Sequence, residues 1–207
     1  VLEVGAGIGS FTKVYYKKKI NIIVSETDMF NLNVLKKKFK KYKNIKVKKN
    51  LPKQFKERFD TILYLNVLEH IKDHKKEISN AIEKLNYNGH LVICVPAHNY
   101  MYSKFDKEIG HYRRYDINFF NNLKLKNAVV KKSYFTDSSG HLLYYLNKIF
   151  FSKETYPSRS KIMIWDKIFI PITYILDFFT FYSMLFSRKP EHHVLCGIGV
   201  VFGFASA

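Results

Sequence analysis

The chain has 207 residues, 47% of them hydrophobic and 16% aromatic, which is enough apolar material to bury a core and excludes a disordered segment. Its formal net charge of +18 rests on lysine in a sequence also rich in asparagine, isoleucine, tyrosine and phenylalanine, so nucleic-acid binding is a lesser expectation, beside contact with an anionic membrane or substrate. Two cysteines, Cys94 and Cys196, exclude a disulfide framework and form no metal-ligand spacing; a reducing cytoplasm is expected, and no metal.

Val1 to Val4 reads as a buried strand that breaks into the glycines Gly5, Gly7 and Gly9. The strand begins at the first residue, so an N-terminal lead-in is expected to be missing. "GSFTKVYYKKK" reads as a helix ending in lysines, where the helix dipole favours cations. "INIIVSETD" is a second apolar strand closed by acids, and "MFNLNVLKKKFKKY" places Phe30, Leu32, Leu35 and Phe39 at helical spacing. Met29 and the tyrosines of "KVYYKK" are read as packing residues, and the lysines from Lys36 to Lys49 as a solvated face.

"NIKVKK" supplies a third strand and "FDTILYLNVLEH" a fourth that runs into a loop at Asn66. In "KKEISNAIEKLN" the residues Ile78, Ala81, Ile82 and Leu85 share one helical face, and "NGHLVICVPA" turns at Asn88-Gly89 into a fifth strand stopped by Pro96. Strand and helix alternate to residue 97, as in a parallel sheet covered on both faces. The polar segment from His98 to Tyr115 is long for a plain connection and is expected to act as a lid or substrate loop. "NAVVKKSYF" is a sixth strand, after which the chain becomes apolar and aromatic. Residues 168–186 are nearly long enough to cross a bilayer, but Asp177 sits in their middle, where an acid costs about 3 kcal/mol; helices packed on the domain are expected first, with an interfacial helix and a transmembrane helix as the alternatives. His192 and His193 lack partners at ligand spacing and are read as surface residues.

A strand, a glycine turn and a helix form a ligand site because the helix start offers free amides and glycine lets a ligand touch the backbone. Dinucleotide folds use G-x-G-x-x-G, whose last glycine would fall where this chain has Ser10. Here the spacing is G-x-G-x-G, with Glu3 two residues before it. A carboxylate there does nothing for a pyrophosphate but serves a ligand carrying an ammonium and a sulfonium, so the pattern favours S-adenosylmethionine over NAD. Glu26 closes the second strand, where an acid can accept both ribose hydroxyls.

With "LEVGAGIG", the acid of "SETD", "FDTILYLNVLEHIKD" and "LNYNGHLVICVPA", the chain resembles the class I S-adenosylmethionine-dependent methyltransferases. "VPAHNYMYSKFDKEIGHYRRYD" is similar to a bacterial and archaeal subgroup of the type 11/12 kind, often found with polyprenyl-phosphate sugar transferases. The resemblance implies an α/β fold, a doubly wound, mostly parallel, seven-stranded Rossmann-like sheet with helices on both faces and an atypical helical C-terminal part. Residues 1–137 would form the cofactor-binding core and residues 138–207 an apolar segment completing the same domain. It further implies that Glu3, Gly5, Ala6, Gly7 and Gly9 line the methionine end, Glu26 and Thr27 the ribose, and Asn66, Val67 and Leu68 the flank beside the fourth strand. The acid that many relatives place beside the adenine has no match, since Asn50 and Leu51 occupy that region. The usual seventh strand would have to come from Val194 to Phe204, unless the chain's end is atypical.

Methyl transfer from a sulfonium chiefly needs alignment in a dry pocket, with a base only for a protonated acceptor. Candidate catalytic residues follow strands four and five, where open α/β sheets bind ligands: His70, His98, His111, Arg113 and Arg114. A histidine could act as base and the arginine pair could grip a carboxylate or phosphate, the alternative being a basic turn tied to Asp106 or Asp116. Glu69 and His70 could equally support the loop without touching substrate. The expectation is a cytoplasmic methyltransferase acting on a small-molecule or lipid-linked sugar acceptor, with peripheral contact at the inner face of the membrane. The alternatives are an RNA or protein methyltransferase, an NAD-type oxidoreductase and a non-catalytic membrane-associated binding module.

Overall fold

The computed structural model describes residues 1–16, 20–136, 163, 167 and 200–206. Seven strands form one sheet: β1 (Leu2–Val4), β2 (Ile22–Ser25), β3 (Ile45–Lys48), β4 (Phe59–Leu65), β5 (Leu85–Pro96), β6 (Val129–Thr136) and β7 (Val200–Ser206), in the order β3-β2-β1-β4-β5-β7-β6. The first five are mutually parallel, and β7 lies between β5 and β6, antiparallel to both. Among the described residues the α-helices are α1 (Thr12–Tyr15), α2 (Met29–Phe39), α3 (His74–Ile82), α4 (Lys104–Glu108) and α5 (Ile117–Asn121). From β1 the chain winds outward through β2 to β3, then returns to place β4 on the other side of β1. That reversal opens a crevice at the carboxyl ends of β1 and β4, the place where such sheets take ligands.

Strand alternation divides the core in two. Leu2 and Val4 pair in register with Ile62 and Tyr64 of β4, and with Leu91, Ile93 and Val95 of β5 they face the cluster completed by Ile78, Ala81 and Ile82 of α3. Ile22 and Val24 face the other way, against Leu35 and Phe39 of α2 and Ile45 of β3. Glu3 pairs with Val24 and therefore lies on this second face.

Three details differ from the sequence reading. Phe30 is 73% exposed because it falls off the stripe that buries Leu32, Leu35 and Phe39, and Met29 beside it is exposed rather than packed. Leu85 does not continue α3: it opens β5, pairing with Phe59, and its carbonyl accepts a hydrogen bond from Arg58 Nη1 at 2.9 Å. The fifth strand therefore starts before the Asn88-Gly89 turn. The helix after the glycines is described only over Thr12–Tyr15, its lysines 17–19 lying outside the described residues. The apolar stretch at 168–186, the region 138–162, and His192 and His193 also lie outside them. Among the described residues no helix is long and apolar enough to cross a membrane.

Candidate active site

The turn after β1 uses its three glycines for different reasons. All have positive φ: +64° at Gly5, +55° at Gly7 and +74° at Gly9. A Cβ at Gly5 would come within 2.8 Å of Val67, and one at Gly9 within 2.8 Å of both Leu35 and Phe39, so these two let β4's exit and α2 close on the turn. At Gly7 a Cβ would meet nothing within 4 Å. Gly7 alone opens onto free space, with its backbone available to another molecule.

Two acids hold the turn. Glu26, buried at the end of β2, accepts from the N–H of Gly7 at 2.7 Å through Oε2 and from those of Thr27 (2.7 Å) and Asp28 (2.9 Å) through Oε1. Three donors on two carboxylate oxygens leave lone-pair capacity mainly on Oε2. Glu26 therefore clasps the turn itself, with room for one further hydroxyl rather than a bidentate pair. Glu3, 1% exposed, accepts at Oε2 from Thr12 Oγ1 at 2.6 Å and from the Tyr15 hydroxyl, while its Oε1 has no hydrogen-bond partner. Burial raises its pKa, with Thr12, Tyr15 and Lys38 pulling the other way. Lys38 does not simply face solvent: its ammonium donates to the carbonyls of Ile8 (2.5 Å) and Gly9 (3.0 Å), tying α2 to the turn.

Asn66 ends β4 in a left-handed conformation, φ 55°, exposed, with Val67 packed beneath Gly5 and Leu68 buried. His98, just past β5, is also left-handed at φ 63°. Such backbone is uncommon outside glycine, and both instances fall at strand exits beside the crevice. Asn50 and Leu51 follow β3 as expected; Asn50's carbonyl accepts from the Ser25 hydroxyl, and Leu51 is exposed.

The segment from His98 to Tyr115 is folded down rather than standing as an open lid. Ala97 and Tyr115 form a parallel bridge, His98 N–H donates to the Tyr115 carbonyl at 2.9 Å, and Tyr112 N–H donates to that of Glu69 at 2.9 Å. Arg113 adds two bonds, from Nη1 to the Ile71 carbonyl (2.6 Å) and from Nη2 to that of Lys72 (2.9 Å). Its fork thus fastens two loops together instead of offering itself to an anion. Arg114 Nε donates to Asp106 Oδ1 at 2.9 Å, the tie to Asp106 that the sequence left open. Asp106 is fully buried and also accepts from the Ser103 N–H and hydroxyl; burial pushes its pKa up, but Arg114 and Ser103 outweigh that and hold it below the usual carboxylate value.

The fold splits the expected catalytic residues. His70 and His111 meet edge to face, 4.6 Å between ring centroids, beside Glu69. Burial lifts the Glu69 pKa to about 7, with Asp106 adding to it, and burial together with His111 lowers that of His70. His98, Arg113 and Arg114 instead line a cavity of about 670 Å³ with His74, Tyr115 and Phe119. His74, which no spacing in the sequence singles out, stacks on Phe119 and lies 2.9 Å from the Tyr115 hydroxyl; burial first, then Arg113 and Lys75, lower its pKa to about 4. A larger groove, about 800 Å³, lies around Leu85 to Tyr87 at the amino end of β5, the wrong end of the sheet for a ligand crevice.

The doubly wound sheet, its reversal point and the glycine turn with two buried acids define a nucleotide-binding α/β domain. A family model for the methyltransferase domain matches residues 1–136, and the chain belongs to that family. Among solved structures it is similar to the YcgJ protein of Bacillus subtilis (14% identity, TM-score 0.53, covering 65% of this chain and 64% of that one). It is similar also to the N-methyltransferase NodS of Bradyrhizobium japonicum, solved with S-adenosylhomocysteine (21%, 0.53, 65% and 67%). A Galdieria sulphuraria protein provisionally assigned as a sarcosine dimethylglycine methyltransferase aligns over 99% of this chain and 76% of its own, at 14% identity and a TM-score of 0.58. At these identities the likeness is one of fold. No curated protein sequence matches the chain.

Proposed function

We propose that the chain is an S-adenosylmethionine-dependent methyltransferase acting on a small-molecule or lipid-linked sugar acceptor. The observation that carries this reading is Gly7, a left-handed position facing free space whose N–H is held by Glu26 at the reversal point of the sheet. The residues fit such a cofactor: Glu3 Oε1 is a buried acceptor still lacking a donor, and the turn leaves a backbone surface bare at Gly7. Gly5, Ala6, Gly7 and Gly9 would carry the methionine end with Glu3 behind them, Glu26 and Thr27 the ribose, and Asn66 and Val67 the flank. The solved complex of NodS with S-adenosylhomocysteine supports the same cofactor.

When bound, S-adenosylmethionine supplies a methyl group already activated on a sulfonium. This chain's part is then to bind, orient and exclude water. The cavity of about 670 Å³ beside His98 lies in the size range of small-ligand sites, and its aromatic wall of Tyr115 and Phe119 suits an acceptor with an apolar portion. His98 lines it, and a histidine there would take the proton of an acceptor that arrives protonated. The excess of lysine favours RNA as a second acceptor class, and methyl label recovered in RNA with salt-sensitive binding would replace the first.

Gly7→Arg tests the reading. Its side chain has open space to enter, so the variant keeps its circular dichroism spectrum, pays only the left-handed backbone strain of about 1–2 kcal/mol, and blocks the turn. Wild type binds S-adenosylmethionine and the variant does not; equal binding by both removes the assignment.

A further inference from the structure

Glu69 is an anomaly. It is 1% exposed, and neither of its carboxylate oxygens has a hydrogen-bond partner. The nearest basic side-chain atom, His111 Nε2, stands 3.9 Å from Oε1, beyond hydrogen-bonding distance. Burying a carboxylate this way is costly unless something positive sits against it.

The surroundings supply two more ligand atoms. One donor atom each from Glu69, His70 and His111 lie within 4.8 Å of one another. His70 Nδ1 is 3.2 Å from the Gly110 carbonyl, and His111 Nδ1 is 3.0 Å from Asp106 Oδ1. A carbonyl and an ionised carboxylate only accept, so each imidazole donates from Nδ1, and in its neutral form the lone pair lies on Nε2. That arrangement, a ring held by a carboxylate or backbone carbonyl with the far nitrogen unprotonated, is how histidines are set to ligate a metal. Asp106 is itself fixed by Ser103 and Arg114, so its hold on His111 is rigid.

We propose that Glu69, His70 and His111 form a site for one first-row transition divalent cation, with Asp106 and the Gly110 carbonyl orienting the two imidazoles. Two imidazoles and one carboxylate suit zinc, cobalt, manganese or iron rather than calcium or magnesium, which take mostly oxygen. Three protein ligands leave at least one coordination position open, as at catalytic rather than structural sites; of the three, His70 is exposed. The site follows β4 directly: Glu69 is two residues past Val67, which packs under Gly5, so the ion would stand beside the glycine turn. The sequence reading expects no metal, and the cluster escapes it: His111 is some forty residues from Glu69 and His70, so no local spacing joins them.

The test uses tag-free, chelator-stripped protein without cofactor, titrated with Co²⁺ and followed by its visible ligand-field absorption. One ion per chain is expected. Glu69→Gln, His70→Ala and His111→Ala should each weaken binding at least about 100-fold. His90→Ala, an exposed β5 residue outside the cluster, should leave it unchanged. His70 is exposed and Glu69→Gln is isosteric, so both variants fold, as circular dichroism checks. No absorption with wild type, or full affinity in both Glu69→Gln and His70→Ala, overturns the proposal. Because the readout needs no methyl donor, that failure leaves the methyltransferase reading standing.

Discussion

Gly5, Gly7 and Gly9 share a left-handed backbone, yet only Gly7 faces open space, and this separates folding from ligand binding one residue at a time. Gly7→Ala should cost only the backbone strain, about 1–2 kcal/mol. Gly9→Ala adds a Cβ within 2.8 Å of Leu35 and Phe39, and overpacking brings a further loss of about 1–3 kcal/mol. Urea melts of the two variants check this: Gly9→Ala is the less stable, and equal midpoints would show that α2 does not press on the turn. The glycines, Glu3 and Glu26 are legible in the sequence because strand, turn and spaced acid are local patterns. The detail is not. That Glu26 accepts from three backbone N–H groups, or that Thr12 and Tyr15 take one oxygen of Glu3, depends on how α1 and β2 close over β1.

At the scale of elements, the segment from His98 to Tyr115 decides what the site can do. Ser103 and Asp106 cap α4 reciprocally, and Asp106 then gathers His111 and Arg114, so one short helix fixes both residues. The segment packs Tyr115 on α3, where its hydroxyl meets His74 and donates to the Leu68 carbonyl. This junction carries a pH signature. Burial brings the His74 pKa to about 4 when folded, against the usual histidine value of 6.5 when unfolded, so between these values the unfolded chain binds more protons and stability falls as pH drops. His74→Phe lacks this effect. The lead in melting temperature of wild type over the variant should shrink from pH 7 to pH 4; a constant difference would mean that His74 protonates as easily folded as unfolded. Periodicity shows the strands and helices to residue 97, but misassigns Leu85, because its pairing with Phe59 outweighs the helical spacing. It does not show that Arg113 serves the Ile71 and Lys72 carbonyls, a contact across some forty residues.

Across the whole molecule, the parallel order β3-β2-β1-β4-β5 brings the exits of β1 and β5 to the same edge of the sheet, so the glycine turn after β1 and the loop at residues 98–115 both leave from that edge. The net charge of +18 acts at this scale too, since a positive field attracts anions in general without selecting among them. The choice between a sulfonium nucleoside and a dinucleotide rests on Ser10 where a third dinucleotide glycine would stand, and on Glu3 behind the turn. Parallel calorimetric titrations of the same protein with S-adenosylhomocysteine and with NAD address that choice most directly. Saturable one-to-one binding of S-adenosylhomocysteine and none of NAD is predicted; binding of NAD with no heat from S-adenosylhomocysteine would contradict the account.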